Sequence, residues 1–187
     1  MTNTFSAISL STERLTLRPL WEADAQSVYA IRSDPQVMRY HSSAPWTSIN
    51  PAIALIARDT AAMASGEYLR LGLTIVGNTT LIGSCCLFDL DRENRRGEIG
   101  YELHRSYWGR GYMHEALQAL LDFAFSTMLL NRIEADIHPD NLASARTLER
   151  LGFQREGFLR ERWIVDGEIS DTVLYGLLQR EWASRRR

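Results

Sequence analysis

Leu69, Leu71, Leu73 and Ile75 alternate with Arg70, Gly72 and Thr74, a period of two that predicts a half-buried strand. Gly77-Asn78 is a hairpin turn signal, and Leu81 to Phe88 returns as a more continuously apolar strand. A charged loop, Asp91 to Arg96, leads into a strand from Gly97 to His104. That strand sets Ile99, Tyr101 and Leu103 on one face and Glu98, Gly100, Glu102 and His104 on the other. The period then changes to that of a helix, with Met113, Leu117, Leu120, Leu121, Ala124 and Met128 along one stripe. Ile133, Ala135 and Ile137 predict a further strand. Pro139-Asp140-Asn141 then opens a short helix (Leu142, Ala145, Leu148, Leu151) that closes at Gly152. Two last strands, Phe153 to Ile164 and Ile169 to Leu178, are joined by Asp166-Gly167, a strong hairpin turn.

Before these elements, Leu15-Thr16-Leu17-Arg18 predicts an opening strand that ends at Pro19. Trp21, Ala25, Val28 and Tyr29 have helical spacing, stopped by Asp34-Pro35. A second helix runs from about Ser48 to Gly66. The order β-α-α-β-β-β-α-β-α-β-β predicts an α/β (α+β) fold: one mixed sheet with helices on both faces. A length of 187 residues fits a single domain over 1–187, with residues 1–12 expected to be a mobile lead-in.

Composition narrows the function by exclusion. Apolar residues make up 45% and charged residues 24%, an ordinary globular balance. A net charge of −2 gives no general pull toward nucleic acid or an anionic membrane. No stretch reaches the ~20 apolar residues of a membrane-spanning helix, and the N-terminus lacks the pattern of a secretion signal. Cys85 and Cys86 are adjacent on a strand, where a disulfide would be strained, and no second pair completes a metal site. A cytoplasmic setting and no metal are the expectations.

The most informative segment is Tyr107-Trp108-Gly109-Arg110-Gly111-Tyr112-Met113, a strand-to-helix turn with two glycines one residue apart. Without a Cβ, backbone N–H groups can approach a ligand there, and the following helix aims its positive N-terminus at the same spot. An anion site is one reading, and a tight turn needing glycine for steric reasons is the other. No Gly-Lys-Ser/Thr follows, and the third glycine of a dinucleotide fingerprint would fall at His114.

Taken together, these segments resemble the GNAT superfamily of acetyl-CoA-dependent N-acetyltransferases, in its RimJ/RimL-like branch. The resemblance runs from Arg14-Leu15-Thr16-Leu17-Arg18-Pro19 to Glu181-Trp182. It is carried by Ile99-Gly100-Tyr101, the glycine turn, Glu115-Ala116-Leu117, Asn141-Leu142-Ala143-Ser144, Leu151-Gly152-Phe153 and Glu156-Gly157. It implies that backbone N–H groups of Gly109, Arg110, Gly111, Tyr112 and Met113 hold the pyrophosphate of acetyl-CoA. The strand ending at Leu103 and His104 would splay from its neighbour and pair with the pantetheine arm. Asn141 and Ser144 would lie beside that arm and its sulfur. One departure is Ser106, where the superfamily often has Gln or Arg.

Acetyl transfer to an amine requires loss of the amine proton, stabilisation of the oxyanion and departure of the thiolate. Glu98 is the candidate base, and a surface carboxylate paired with Arg95 or Arg132 is the alternative. The resemblance assigns the oxyanion to a backbone N–H near Leu103. Many GNAT enzymes supply an acid from a Tyr seven residues after the Asn, but here that position is Leu148. Ser144 is the substitute, either bonding the departing sulfur or serving its own helix N-terminus.

His104, His114 and His138 show no metal-ligand spacing and are read as structural, with His114 expected to be exposed. Tyr40, His41 and Trp46 lie in a loop that in this family borders the acceptor, so they are candidate substrate-binding aromatics. The implied acceptor is a protein N-terminal α-amine or a small amine. A non-catalytic acyl-CoA-binding module is the rival that Leu148 leaves open, and a homodimer is the expectation from related proteins.

Overall fold

In the computed structural model, which describes residues 4–185, the alternating apolar runs pair into one eight-stranded sheet. Its first half contains β1 (Leu10–Ser11), β2 (Leu15–Arg18), α1 (Ala25–Arg32), α2 (Pro35–Met38), α3 (Asn50–Ser65), β3 (Leu69–Ile75) and β4 (Leu81–Asp91). The chain continues with β5 (Arg96–Leu103), α4 (Tyr112–Ser126), β6 (Arg132–Ile137), α5 (Leu142–Leu151), β7 (Gln154–Val165), β8 (Glu168–Leu178) and α6 (Gln179–Ser184). The strand order is β1-β2-β3-β4-β5-β6-β8-β7. Neighbours are antiparallel except β5 and β6, which are parallel and joined through α4.

Every element expected from periodicity is present, and three short ones are added. Pro35 does end α1, but it then opens α2, where Asp34 accepts a hydrogen bond from the Gln36 N–H at 2.8 Å. The strand β1 pairs Leu10 with Leu17, and Phe5 is buried, so residues 4–12 of the expected lead-in pack on the body of the molecule, while residues 1–3 lie outside the described residues. Glu181 caps α6 by accepting from the Leu178 N–H at 3.0 Å. The loop at Asp91–Arg96 is shorter than expected because Asp91 and Arg96 pair across the hairpin. Asn94 closes that turn, donating from its backbone and side chain to the Asp91 carboxylate. His104 does not finish the strand. Its ring accepts from the Ser106 N–H at 3.2 Å and caps a 3-10 turn instead.

The main core lies on one face of the sheet, where Leu15, Leu17, Leu69, Leu71 and Leu73 meet Leu117, Leu120 and Leu121 of α4. A smaller cluster joins Leu20, Val28, Ile31, Leu55 and Ile56 under α1 and α3. The expectation that β3 is half-buried is corrected here. Arg70 and Thr74 are buried as well, because α1 and α3 close over the polar face. Charge there is matched rather than hydrated. Arg70 donates to Asp59 at 2.6 Å, to Ser84 at 3.0 Å and to the Tyr68 hydroxyl. Ser84 donates to Glu102 at 3.1 Å, and Arg32 donates to the same carboxylate at 2.8 Å.

Burial alone would push the Glu102 carboxyl up, but Arg32, Arg70 and His41 outweigh it and hold it below the usual range. Neutralising it would leave two guanidinium groups short of countercharge. Glu102→Gln should therefore destabilise the fold by about 3–5 kcal/mol in urea unfolding. A carboxylate depressed in the folded state favours folding above its unfolded value of about 4.3 and loses that contribution as pH falls. The stability gap between wild type and Glu102→Gln should accordingly narrow in acid.

Candidate active site

Parallel pairing between β5 and β6 runs from Arg96 opposite Arg132 to Glu98 opposite Glu134 and stops there. Beyond that point each strand is held by its other neighbour. On one side Leu103 pairs with Gly83 of β4, and on the other Ile137 pairs with Val173 of β8. The result is a wedge lined by backbone groups that no strand satisfies. The His104 N–H donates to Ile82 on the β4 side at 2.8 Å. Since N–H direction alternates along an extended strand, the N–H groups of Leu103 and Tyr101 face the wedge. The His104 C=O is taken by the Tyr107 N–H, so both backbone groups of His104 are engaged.

The glycine turn stands at the open end of β5. Gly109 and Gly111 have φ of 73° and 79°, the left-handed region that side chains disfavour. Gly111 is the N-cap of α4 and offers no side chain to the helix. Among the described residues, the N–H groups of Tyr112, Met113 and His114 have no protein acceptor, leaving the helix N-terminus open to an anion. A Cβ built at Gly109 meets nothing within 4 Å, so this side of the turn is open. Arg110 and the exposed Ser106 flank it.

Two features of this turn were not foreseen. Arg14 pairs with Glu115 at 2.6 Å and donates to the Arg110 carbonyl at 3.0 Å, while Thr12 also donates to Glu115. The β1–β2 hairpin thereby braces the turn. Trp108 folds back to donate to the Leu103 carbonyl at 2.7 Å, fixing the turn to the end of β5. Arg14 and Glu115 both stand in the motifs of the resemblance, but a pairing 101 residues apart leaves no periodic signal.

Glu98 occupies the apex of the wedge, in the last β5–β6 pair. Its carboxyl is pushed up to about 7, first by burial and then by Asp136, Asp89 and Glu134, with Arg162 acting the other way. The alternative salt bridge to Arg95 or Arg132 does not form among the described residues, and Arg132 is committed to Glu134 and Glu156. Across the wedge, Asn141 caps α5 by accepting from the Ser144 N–H at 3.2 Å. Ser144 is half-buried on the first turn, and Leu148 is fully buried in the core.

The loop before α3 is tied across the site. Tyr40 packs against His138 at the end of β6, with ring centroids 5.0 Å apart. His41 is pushed toward its neutral form, mainly by burial, and lies within reach of the Glu102 charge. Trp46 packs against the smaller apolar cluster with the Arg32 guanidinium 5.1 Å from its ring. Glu102, which the sequence set beside Glu98 as a second strand carboxylate, anchors this loop through Arg32. His114 is half-buried rather than exposed, since α5 packs beside the first turn of α4. No helix among the described residues is long and apolar enough to cross a membrane, and no metal-binding cluster occurs among them.

Comparisons with known proteins agree with this geometry. A family profile described as an acetyltransferase (GNAT) domain matches residues 14–154. An N-acetyltransferase called p20 from Bacillus licheniformis is 38% identical over 94% of this chain and 98% of its own length. The [ribosomal protein uS5]-alanine N-acetyltransferase of Escherichia coli is 27% identical over 96% of this chain and 95% of its own. A crystal structure of a GNAT-family acetyltransferase from Bacillus anthracis superimposes with a TM-score of 0.83 at 27% identity, covering 93% of this chain and 100% of the other. The matched segment spans the wedge, the glycine turn and the helix beyond them, and the chain belongs to the GNAT family of acetyl-CoA-dependent N-acetyltransferases.

Proposed function

We propose that this enzyme transfers the acetyl group of acetyl-CoA to the α-amine of a protein N-terminus, by direct attack within a ternary complex. The observation that carries the acceptor is Glu98, with its carboxyl near 7 at the wedge apex. An α-ammonium has a pKa of about 7.7–8.0, so such a carboxylate takes its proton at a cost of about one unit. A lysine-like alkyl ammonium, at about 10.4, would cost over three units, roughly 4–5 kcal/mol. The uS5-alanine enzyme named above supports the same direction. A small polyamine is the second reading, favoured by Asp89, Glu134 and Asp136 around the base.

The chain's own groups divide the work. The amides of Gly109 to Met113 hold the pyrophosphate, and the N–H groups of Tyr101 and Leu103 meet the pantetheine arm and the acetyl oxygen. Donors already oriented in the wedge stabilise developing charge better than water does. Asn141 and Ser144 flank the sulfur, while Tyr40, His41 and Trp46 wall the acceptor side. Neither cysteine serves as a nucleophile. Both are buried, and burial pushes the Cys85 thiol far up.

Acetyl-CoA should raise the melting temperature by mass-action linkage. Gly111→Val should abolish that shift. A Cβ at Gly111 clears its nearest neighbour, Arg14, at 3.5 Å, so the loss would come from backbone forced out of φ 79°. An unchanged shift would remove the pyrophosphate from this turn.

Glu98→Gln should lower kcat about 100-fold with an N-terminal peptide as acceptor and erase the acidic limb near pH 7. The stability sign is opposite to that of Glu102. A carboxyl raised in the folded state favours folding below about 4.3 and loses that contribution as pH rises through about 7. Glu98→Gln should thus melt higher than wild type above pH 7 and like wild type in acid. Faster turnover of spermidine than of any peptide would select the polyamine reading.

A further inference from the structure

One enclosed oxygen on the wedge strand β5 is left without a well-formed hydrogen bond. The Tyr101 hydroxyl makes no hydrogen bond of full geometry among the described residues, although it is shut off from solvent. A phenylalanine would fill that space without burying an unsatisfied donor, so the hydroxyl is kept at a cost to stability. The ring packs against the main core, in the same cluster as Ala145 of α5. The Ser144 side chain bonds the phenol loosely and favours its ionised form, short of full hydrogen-bond geometry. Burial is stronger and pushes the phenol up to about 12, so it stays a protonated donor at working pH. Leu148, where an acid would otherwise project, is 0% exposed and apolar.

We propose that Tyr101 is the positioning residue for thiol departure, donating its O–H to Ser144 Oγ once acetyl-CoA fills the wedge and so turning the Ser144 O–H onto the sulfur. The proposal rests on the placement of Ser144 beside that sulfur. A serine hydroxyl alone rotates freely and presents donor or lone pair alike. A donor behind it fixes the rotor and polarises the O–H, as chains of hydrogen bonds do. In the transfer, Glu98 has already taken the ammonium proton, the amine lone pair forms the N–C bond, and the proton then surplus on nitrogen passes to water. The C–S pair leaves on sulfur as thiolate. Neither hydroxyl ionises, because a thiol near 8.5 cannot draw the proton of a phenol near 12.

The test is Tyr101→Phe, alone and combined with Ser144→Ala. The expected result is an unchanged or higher melting temperature, an unchanged KM for acetyl-CoA and a kcat about tenfold lower. In the Ser144→Ala background the same change should cost nothing further, since the two act as one unit. A second readout needs no turnover. Ultraviolet absorbance of the thiolate gives the pKa of bound CoA, which should rise by the same amount in Tyr101→Phe as in Ser144→Ala. Unchanged kcat and thiol pKa in Tyr101→Phe, or losses that add in the double variant, would overturn the proposal while CoA binding remains intact. Wild-type protein that bound no CoA would overturn it together with the function it rests on.

Discussion

Three residue pairs of parallel sheet, and no more, connect β5 to β6. A longer ladder would satisfy the N–H groups of Tyr101 and Leu103 within the protein and leave nothing for a ligand. A shorter one would separate Glu98 from the apex where the acceptor's nitrogen must arrive. The outer partners set the length, because β4 and β8 pull the two strands apart while keeping each fully paired on one side. The wedge thus stays open without any loop to prop it.

The two faces of β5 do different work from this one strand. Toward α4 and α5, Ile99 and Tyr101 join the main core, which holds the wedge wall rigid. Toward α1 and α3, Glu102 is clamped by Arg32 and Ser84, with Arg70 and Asp59 behind them. That buried network ties the loop of Tyr40, His41 and Trp46 to the same strand that carries the base. Apolar packing would hold α1 and α3 as firmly, but it would not set the loop's position by directional bonds. Glu98 and Glu102 lie four residues apart on one face and titrate in opposite directions. One sits among carboxylates and the other between arginines.

Most of the sheet was legible in the sequence because period-two alternation is a local signal. The β3 leucines and the Asp166-Gly167 turn, with both residues at positive φ, behave as that signal predicts. The glycine turn was legible because left-handed geometry next to a helix start leaves a recognisable spacing. What escaped was set by contacts distant in the chain. Alternation at Arg70 and Thr74 predicts solvent, and only the placement of α1 and α3 turns that face inward. Neither the brace from Arg14 to Glu115 nor the link from Arg32 to Glu102 repeats with any period. The sequence placed Tyr101 on one face of its strand with Ile99 and Leu103, while the enclosure of its hydroxyl beside Ser144 depends on packing against a helix much later in the chain.

Amide hydrogen exchange with and without acetyl-CoA tests the central claim most directly. If the wedge is the seat of the pantetheine arm, the amides of Tyr101 and Leu103 should gain protection together with those of Tyr112 to His114. Amides of the β7–β8 hairpin near Asp166 should stay unchanged. Saturating acetyl-CoA that protected the helix start but left Tyr101 and Leu103 exchanging as in the free protein would contradict the account.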